Sequence, residues 1–300
     1  MMHGDAYFCH LREASRHTRG QRCPARRFME STCSQNGEIR QLRERCAALE
    51  RELDLFRHSQ KTRLDVTSQV HRSLLPKPIR HDRIWIDVRY VPVEEIGGDY
   101  CQVRFPDSVT CYITICDVMG HGTASALLAT RISSEVRYGI LYRMEPADLV
   151  QSLQRFMIEH FQGAELFLTF FAARIDFDRR EIAWSGAGHP GPLLLSPAAD
   201  PQSLPSQNMP LGLDLPDPSA VRQDRTPVQP GDRLFFFTDG LYEVIDARGR
   251  QLGLDGFGKL AQSTMGCDLF EVADRVFQEI QQYQYGPDAD DQTLVVAEIR

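Results

Sequence analysis

Five aspartates stand where apolar runs begin or end. Asp117 closes "YITIC", Asp239 closes "LFFFT", Asp99 opens "YCQVRF", and Asp290 and Asp291 stand just before "QTLVVAEI". Glycines accompany them: Gly97 and Gly98 before Asp99, Gly120 and Gly122 after Asp117, Gly240 after Asp239. Glycine permits tight turns and lets a metal, a water or a phosphate come close to the backbone. Carboxylates gathered in one place repel each other and resist ionising unless cations lie between them. An all-oxygen ligand set suits hard cations, Mg2+ or Mn2+, rather than zinc. Taken singly, each Asp beside Gly is ordinary turn chemistry. The repeated placement at the ends of apolar runs is what points to a shared site.

Other reactive types are less suggestive. His121 and His189 lie in glycine-rich turns, where an imidazole commonly caps backbone groups. Glu94 and Glu95 read as a solvated loop. The eight cysteines, at 9, 23, 33, 46, 101, 111, 116 and 267, form no CxxC pair. Cys101, Cys111 and Cys116 fall in apolar runs and read as small buried hydrophobes. The group His3, Cys9, His10, His17, Cys23 and Cys33 matches no zinc spacing.

The elements that must carry the aspartates read as strands in runs. They are "IWIDVRYV", a hairpin of "YCQVRF" and "TCYITICDV" turning at Pro106–Asp107–Ser108, then "ELFLTFFAARIDF", "EIAWSGAG", "PLLLS", "DRLFFFTDG" and "QTLVVAEI". Helices are expected over 123–142, with Ala124, Leu128, Ile132, Val136 and Ile140 on one stripe, over 146–162, and over 268–283. Residues 197–230 are proline-rich and read as an extended loop region. Runs of strands with a helix pair between them predict an α+β fold of two packed sheets flanked by helices. In antiparallel sheets the end of one strand lies beside the start of its neighbour, so these aspartates can meet on one rim.

Upstream, residues 1–37 show no sustained period and read as a disordered tail. Residues 38–75 read as a coiled-coil or linker helix. Ile39, Cys46 and Leu53 take the a positions of a heptad, and Leu42, Leu49 and Phe56 the d positions. In a parallel pair, Arg45 faces Glu50 and Glu52 faces Arg57, so a parallel homodimer through 39–56 is expected. Pro76 and Pro78 end the helix, and residues 76–300 form the main domain.

Five motifs, "EEIGGDY", "DVMGHG", "GAGHPGPLLL", "FFFTDGLYE" and "DDQTLVV", occur in that order, preceded by "LLP" at 74–76. In them the chain resembles the SpoIIE-like branch of the PPM-type, metal-dependent serine/threonine phosphatases. The resemblance implies a four-layer α-β-β-α sandwich and two divalent cations, Mn2+ or Mg2+. It implies that Asp117 bridges the ions, Asp239 and Asp290 hold the first, and the Val118 carbonyl and Asp99 hold the second. Asp291 adjoins Asp290, and either carboxylate could be the ligand. Where relatives carry a further Asp after the GGD motif, this chain has Gln102, which removes one nearby charge. The implied activity is dephosphorylation of a phosphoserine or phosphothreonine protein in bacterial partner switching, of the small anti-sigma-factor antagonist type.

Charge and hydropathy limit other classes. The net charge of −7 divides into +5 over residues 1–75 and −12 over the rest, which argues against nucleic-acid binding. No run approaches the roughly 18 apolar residues of a membrane span. No signal-peptide core is visible, and the chain reads as cytoplasmic. Two alternatives stay in view. One is a non-catalytic dimeric binding module that keeps the fold. The other is a two-metal hydrolase of nucleotides, for which no phosphate-cradling P-loop pattern is present.

Overall fold

The computed structural model describes residues 41–55, 68–69, 71–94, 96–120, 122–163, 166–197, 199–213 and 221–300. The chain divides into two units, Met1–Lys61 and Thr62–Arg300. In the first, residues 41–55 form helix α1, and Leu42, Leu49 and Leu53 on the heptad seam are exposed. Ile39, Phe56, Arg57, the tail at 1–37 and its His/Cys group lie outside the described residues.

In the second unit, strand alternation builds the layers. In β4 (Thr110–Val118), Cys111, Ile113 and Ile115 enter one buried cluster, while Tyr112, Cys116 and Val118 enter another. In β11 (Gln292–Ile299), Val295, Ala297 and Ile299 join the first of these clusters, and Leu294 and Val296 join a third. Both strands are therefore covered on both faces, which is why they read as nearly continuous apolar runs. The shared cluster lies between two sheets, and the other two lie beneath helices.

The remaining strands are β1 (Ile79–His81), β2 (Ile84–Val91), β3 (Tyr100–Arg104), β5 (Leu168–Asp176), β6 (Glu181–Ala187), β7 (Leu193–Leu195), β8 (Gln202–Ser203), β9 (Asp224–Pro227) and β10 (Arg233–Phe237). One sheet has the order β1-β2-β11-β10-β7-β8 and the other β3-β4-β5-β6-β9. Every pairing between these strands is antiparallel. Helices α2 (Thr123–Leu141) and α3 (Pro146–Phe161) cover the five-stranded sheet. Helices α4 (Gly253–Ser263) and α5 (Leu269–Tyr283) cover the six-stranded one, α5 against β2 and β11, and α4 through Phe257 and Ala261. The result is the four-layer α-β-β-α sandwich.

Helix boundaries follow local chemistry. Pro146 fills the first turn of α3, where its missing N–H costs nothing. The Asp268 side chain accepts the Phe270 N–H and caps α5. Leu128, Ile132, Val136 and Ile140 are buried on α2 as expected, but Ala124 is exposed and Ser125 and Ala126 are buried in its place. Two elements depart from the sequence reading. Helix α4 lies in "GLDGFGKLAQS", whose three glycines lower helix propensity; packing of Phe257 and Ala261 overrides it. The proline-rich stretch 197–230 contributes β8 and the edge strand β9, which pairs with β6. Residues 71–74 form a short helical turn before Pro76. Its His71 is buried, and Leu74 and Leu75 pack against the core clusters.

Candidate metal centre

The inward-facing row of each strand changes character at one end of the sandwich. Cys101 and Val103 of β3, and Cys111, Ile113 and Ile115 of β4, face the inter-sheet core. With a period of two, the next inward positions toward this end are Asp99 and Asp117. In the other sheet, Leu234 and Phe236 are followed by Thr238, and Val295 is preceded by Thr293 and Asp291. Register closes the rim. Tyr100 pairs with Cys116, which sets Asp99 beside Asp117, and Phe237 pairs with Leu294, which sets Asp239 beside the start of β11.

Asp99 is 1% exposed. Its Oδ2 accepts hydrogen bonds from the hydroxyls of Thr238 (2.8 Å) and Thr293 (2.5 Å), and so ties the two sheets together. Asp291 is 3% exposed. Its Oδ1 accepts the Val93 N–H (2.8 Å) and its Oδ2 the Gly98 N–H (2.7 Å). Asp290 is exposed and its Oδ1 accepts the Asp291 N–H (2.8 Å). The two neighbouring carboxylates thus differ: both oxygens of Asp291 are taken by loop amides, and Asp290 stands at the surface.

The acids share one field. Burial, then the charges of Asp239, Asp290 and Asp291, push Asp117 up to about 7. Burial, then Asp290 and Glu243, push Asp239 up to about 6. Asp99 is held well above the usual carboxylate range by burial and by Asp117. No lysine or arginine is among the groups that perturb these three. Among the described residues, no three His, Cys, Asp or Glu side chains form a ready-made ligand cage. The acids are near enough to repel one another, and they remain an open rim.

The backbone around the rim suits a bound cation. A Cβ on Gly98 would lie 2.6 Å from the Val118 carbonyl oxygen and 3.0 Å from that of Gly120. Glycine at 98 therefore keeps the Val118 carbonyl uncovered beside Asp99 and Asp117. A Cβ on Gly97 would collide with the Asp291 carboxylate, and one on Gly240 with the Asp291 carbonyl. Carboxylate and carbonyl oxygens, with no lysine or arginine among the groups that shift Asp99, Asp117 and Asp239, form a donor set that fits hard divalent ions.

Residues 107–300 match the family model described as Stage II sporulation protein E (SpoIIE). The chain belongs to the SpoIIE family. This is the SpoIIE-like branch of the PPM-type serine/threonine phosphatases. Two Bacillus subtilis (strain 168) proteins are similar. Phosphoserine phosphatase RsbP is 27% identical over 191 residues, 63% of this chain and 47% of its own length. Phosphoserine phosphatase RsbU is 24% identical over 239 residues, 79% of this chain and 70% of its own. The chain thus spans about half of RsbP. Among solved structures, the SiaA PP2C domain of Pseudomonas aeruginosa has a TM-score of 0.71 at 21% identity, covering 81% of this chain and 98% of that one, and shares the fold. Two more distant neighbours carry divalent ions in their crystals. RsbX holds magnesium, with a TM-score of 0.58 at 14% identity, covering 75% of this chain and 99% of that one. The PstP catalytic domain holds two manganese ions, with a TM-score of 0.50 at 14% identity, covering 72% of this chain and 98% of that one.

Within this SpoIIE-family frame, the other polar residues sort clearly. His189 is buried, its Nδ1 is 2.8 Å from the Thr169 hydroxyl, and burial pushes it down to about 3. It is neutral at ordinary pH, bonds to β5 through Thr169, and keeps a buried Nε2 without a hydrogen-bond partner among the described residues. His121 and Glu95 lie outside the described residues. The Cys101, Cys111 and Cys116 thiols are buried and their ionisation is pushed up, so they offer no nucleophile. Gln102 lies on the outer face of β3, where its amide donates to the Tyr100 hydroxyl, and the Ser133 carbonyl of α2 is 3.4 Å away. The departure at 102 therefore falls on the opposite face of the strand from Asp99. Sequence reading missed Thr238, Thr293 and Tyr90. Their signal was available, since each is a polar residue at an inward position of an otherwise apolar row.

Proposed function

We propose that this chain is a metal-dependent phosphoserine/phosphothreonine protein phosphatase of bacterial signalling. The observation that supports it is the rim itself: Asp99, Asp117 and Asp239, from three separate segments, are each raised by burial and by neighbouring acids, and no lysine or arginine is among the groups that shift them. Asp117 would bridge two ions, Asp239 and Asp290 would hold the first, and the Val118 carbonyl and Asp99 the second. Asp290 is preferred over Asp291 because Asp291 already spends both oxygens on loop amides. When bound, the ion pair supplies an acidified water and screens the phosphate charge.

The chain's own residues do the rest. Asp99, anchored through one oxygen by two threonines, keeps its position on the rim as ligands come and go. Gly98 leaves the Val118 carbonyl bare. Because Asp117 and Asp239 hold protons into the near-neutral range, cation binding must displace those protons, so loading strengthens as pH rises. Among the described residues, no Ser, Cys or His on the rim is placed as a nucleophile, so direct attack by water is expected, without a covalent phosphoenzyme.

The substrate class follows from the resemblance and from the phosphoserine named in RsbU and RsbP. A phosphorylated small anti-sigma-factor antagonist fits both. The exposed Leu42, Leu49 and Leu53 of α1 support a parallel homodimer. No described helix is long and apolar enough to cross a membrane.

The test is hydrolysis of p-nitrophenyl phosphate, a phosphoserine peptide and a nucleoside triphosphate, each with Mn2+ and with chelator. Mn2+-dependent release from the first two is expected. Turnover that survives chelator, or turnover of the nucleotide alone, would overturn the reading. Light scattering of the full chain and of Leu49→Asp tests the dimer; equal masses for the two would end it.

A further inference from the structure

The loop that carries Asp99 crosses from β2 in one sheet to β3 in the other. Three of its backbone N–H groups are taken by side chains of the six-stranded sheet. Asp291 accepts those of Val93 and Gly98, and the Tyr90 hydroxyl accepts that of Gly97 (2.9 Å). Tyr90 is the last inward position of β2, after Ile84, Ile86 and Val88. Burial, then the charges of Asp291 and Asp99, hold its ionisation far above the usual tyrosine range, partly offset by the Gly97 amide and Arg72. It is a neutral hydroxyl at the base of an acidic rim. On its other side the His71 ring packs at 5.7 Å between centroids, tilted by 48°. His71 is 3% exposed, and its Nε2 has no hydrogen-bond partner among the described residues.

We propose that Tyr90 is a positioning residue for the Gly97–Gly98–Asp99 segment, and that His71 acts through it by fixing the phenol ring. This rests on the two-cation reading given above. The argument is one of loop freedom. Two consecutive glycines have more conformational freedom than any other pair, so Asp99 and the uncovered Val118 carbonyl keep their relation only if the loop amides are pinned. Asp291 pins the amides on either side of Gly97, and Tyr90 pins Gly97 itself. Loss of the Tyr90 hydroxyl frees the centre of that span. The damage would fall on a cation held by Asp99 and the Val118 carbonyl, and Asp239 and Asp290 would still hold theirs. His71 carries this dependence to residues 71–74, the turn that leads into the domain from the N-terminal side.

The experiment is an Mn2+ titration of the full chain by calorimetry, together with the Mn2+ dependence of p-nitrophenyl phosphate hydrolysis. The variants are Tyr90→Phe, His71→Ala and the double variant. Tyr90→Phe is expected to raise the half-saturating Mn2+ about tenfold, the scale for losing a group that orients a metal ligand. Its kcat at saturating Mn2+ is expected to stay within about twofold of wild type, because no ligand is lost. His71→Ala should shift the half-saturation in the same direction, and the double variant should be no worse than Tyr90→Phe alone. Hydrogen exchange at Gly97 and Gly98, read without metal, should quicken in both single variants, and this readout does not need an active enzyme. If wild type binds Mn2+ and Tyr90→Phe binds it equally well, the Tyr90 assignment falls and the two-cation reading stands. If His71→Ala and Tyr90→Phe add fully, His71 does not act through Tyr90. Wild-type chain that takes up no Mn2+ would remove both readings together.

Discussion

At one end of the sandwich Asp99, Asp117 and Asp239 lie in one another's neighbourhood with Asp290 beside them, and no lysine or arginine is among the groups that shift the first three. At the other end, where β5 and β11 finish, Arg83, Arg180 and Arg300 line a hollow of about 200 Å3 with Ile175, Phe177 and Ile299. There the chain supplies counter-charges itself. Arg83 pairs with Asp178 (3.2 Å) and donates to the Phe177 carbonyl (3.1 Å). Arg300 pairs with Glu298 (2.5 Å) and lies 3.9 Å over the Trp85 ring. At this end the inward row stays apolar through Ile175 and Ile299, whereas at the acidic end it turns to Asp99, Asp117, Thr238 and Thr293. The difference lies in compensation: paired charge ties strands and turns together, and unpaired like charge is an arrangement the fold maintains against its own stability.

The sharpest way to break this comparison is Asp239→Asn. At the acidic end it removes a proposed ligand together with a repulsive charge. Mn2+-dependent phosphatase activity should fall by about two to three orders of magnitude, the scale for losing one preorganised electrostatic group. Thermal unfolding without metal should stay cooperative, with a midpoint no lower than wild type. A variant that keeps its activity would remove Asp239 from the chemistry, and one that unfolds would make it a structural residue.

The converse substitution belongs to the paired charges. Arg233 is 6% exposed; its Nε donates to Glu298 (2.7 Å), and its other nitrogens donate to the carbonyls of Thr264 (3.0 Å) and Cys267 (2.8 Å). Glu298→Ala leaves that guanidinium buried and unmatched, which should cost about 3–5 kcal/mol in urea unfolding. The half-saturating Mn2+ should not move. A shift there would mean that the two ends are coupled.

A pH series without metal sharpens the same contrast. Asp117 is raised from 3.8 to about 7 and Asp239 to about 6. The folded chain therefore keeps protons that the unfolded chain has already released. The stability this confers is complete below about pH 4 and is lost as pH rises through about 6 to 7. Melting midpoints in chelator should fall over that window in wild type and fall less in Asp117→Asn. Equal slopes for the two would show that Asp117 does not hold its proton above the usual carboxylate range in the folded chain.

Much of this was legible beforehand because strands state their geometry plainly. An apolar run ending on Asp117 and another beginning after Asp99 must lie side by side once the hairpin is antiparallel, and the register pairs Tyr100 with Cys116 as that requires. The layered fold followed from the same runs. Asp290 and Asp291 could not be told apart, because the distinction lies in which amides each meets: Val93 and Gly98 are nearly two hundred residues away in sequence. Gln102 looked like a lost charge near the site, since a linear motif does not say which face of β3 a residue takes. Helix α4 was hidden by its own glycines. In each case the missing fact was a long-range contact, which a period or a propensity does not carry.

The mildest test lies at the arginine-lined end. Arg180 has φ +52°, in the left-handed region, where a Cβ crowds the backbone, and its carbonyl accepts the Val228 N–H (2.9 Å). Arg180→Gly relieves that strain and keeps the carbonyl, but it adds freedom to the unfolded chain, which offsets part of the gain. It also takes one positive charge from a hollow that has three. The sum should be a stabilisation of up to about 1 kcal/mol in urea unfolding, with Mn2+ dependence and kcat unchanged. Destabilisation by more than that amount would mean the Arg180 side chain holds something worth the strain. The arginine-lined end would then be a maintained site in its own right, and the contrast between the two ends would fail.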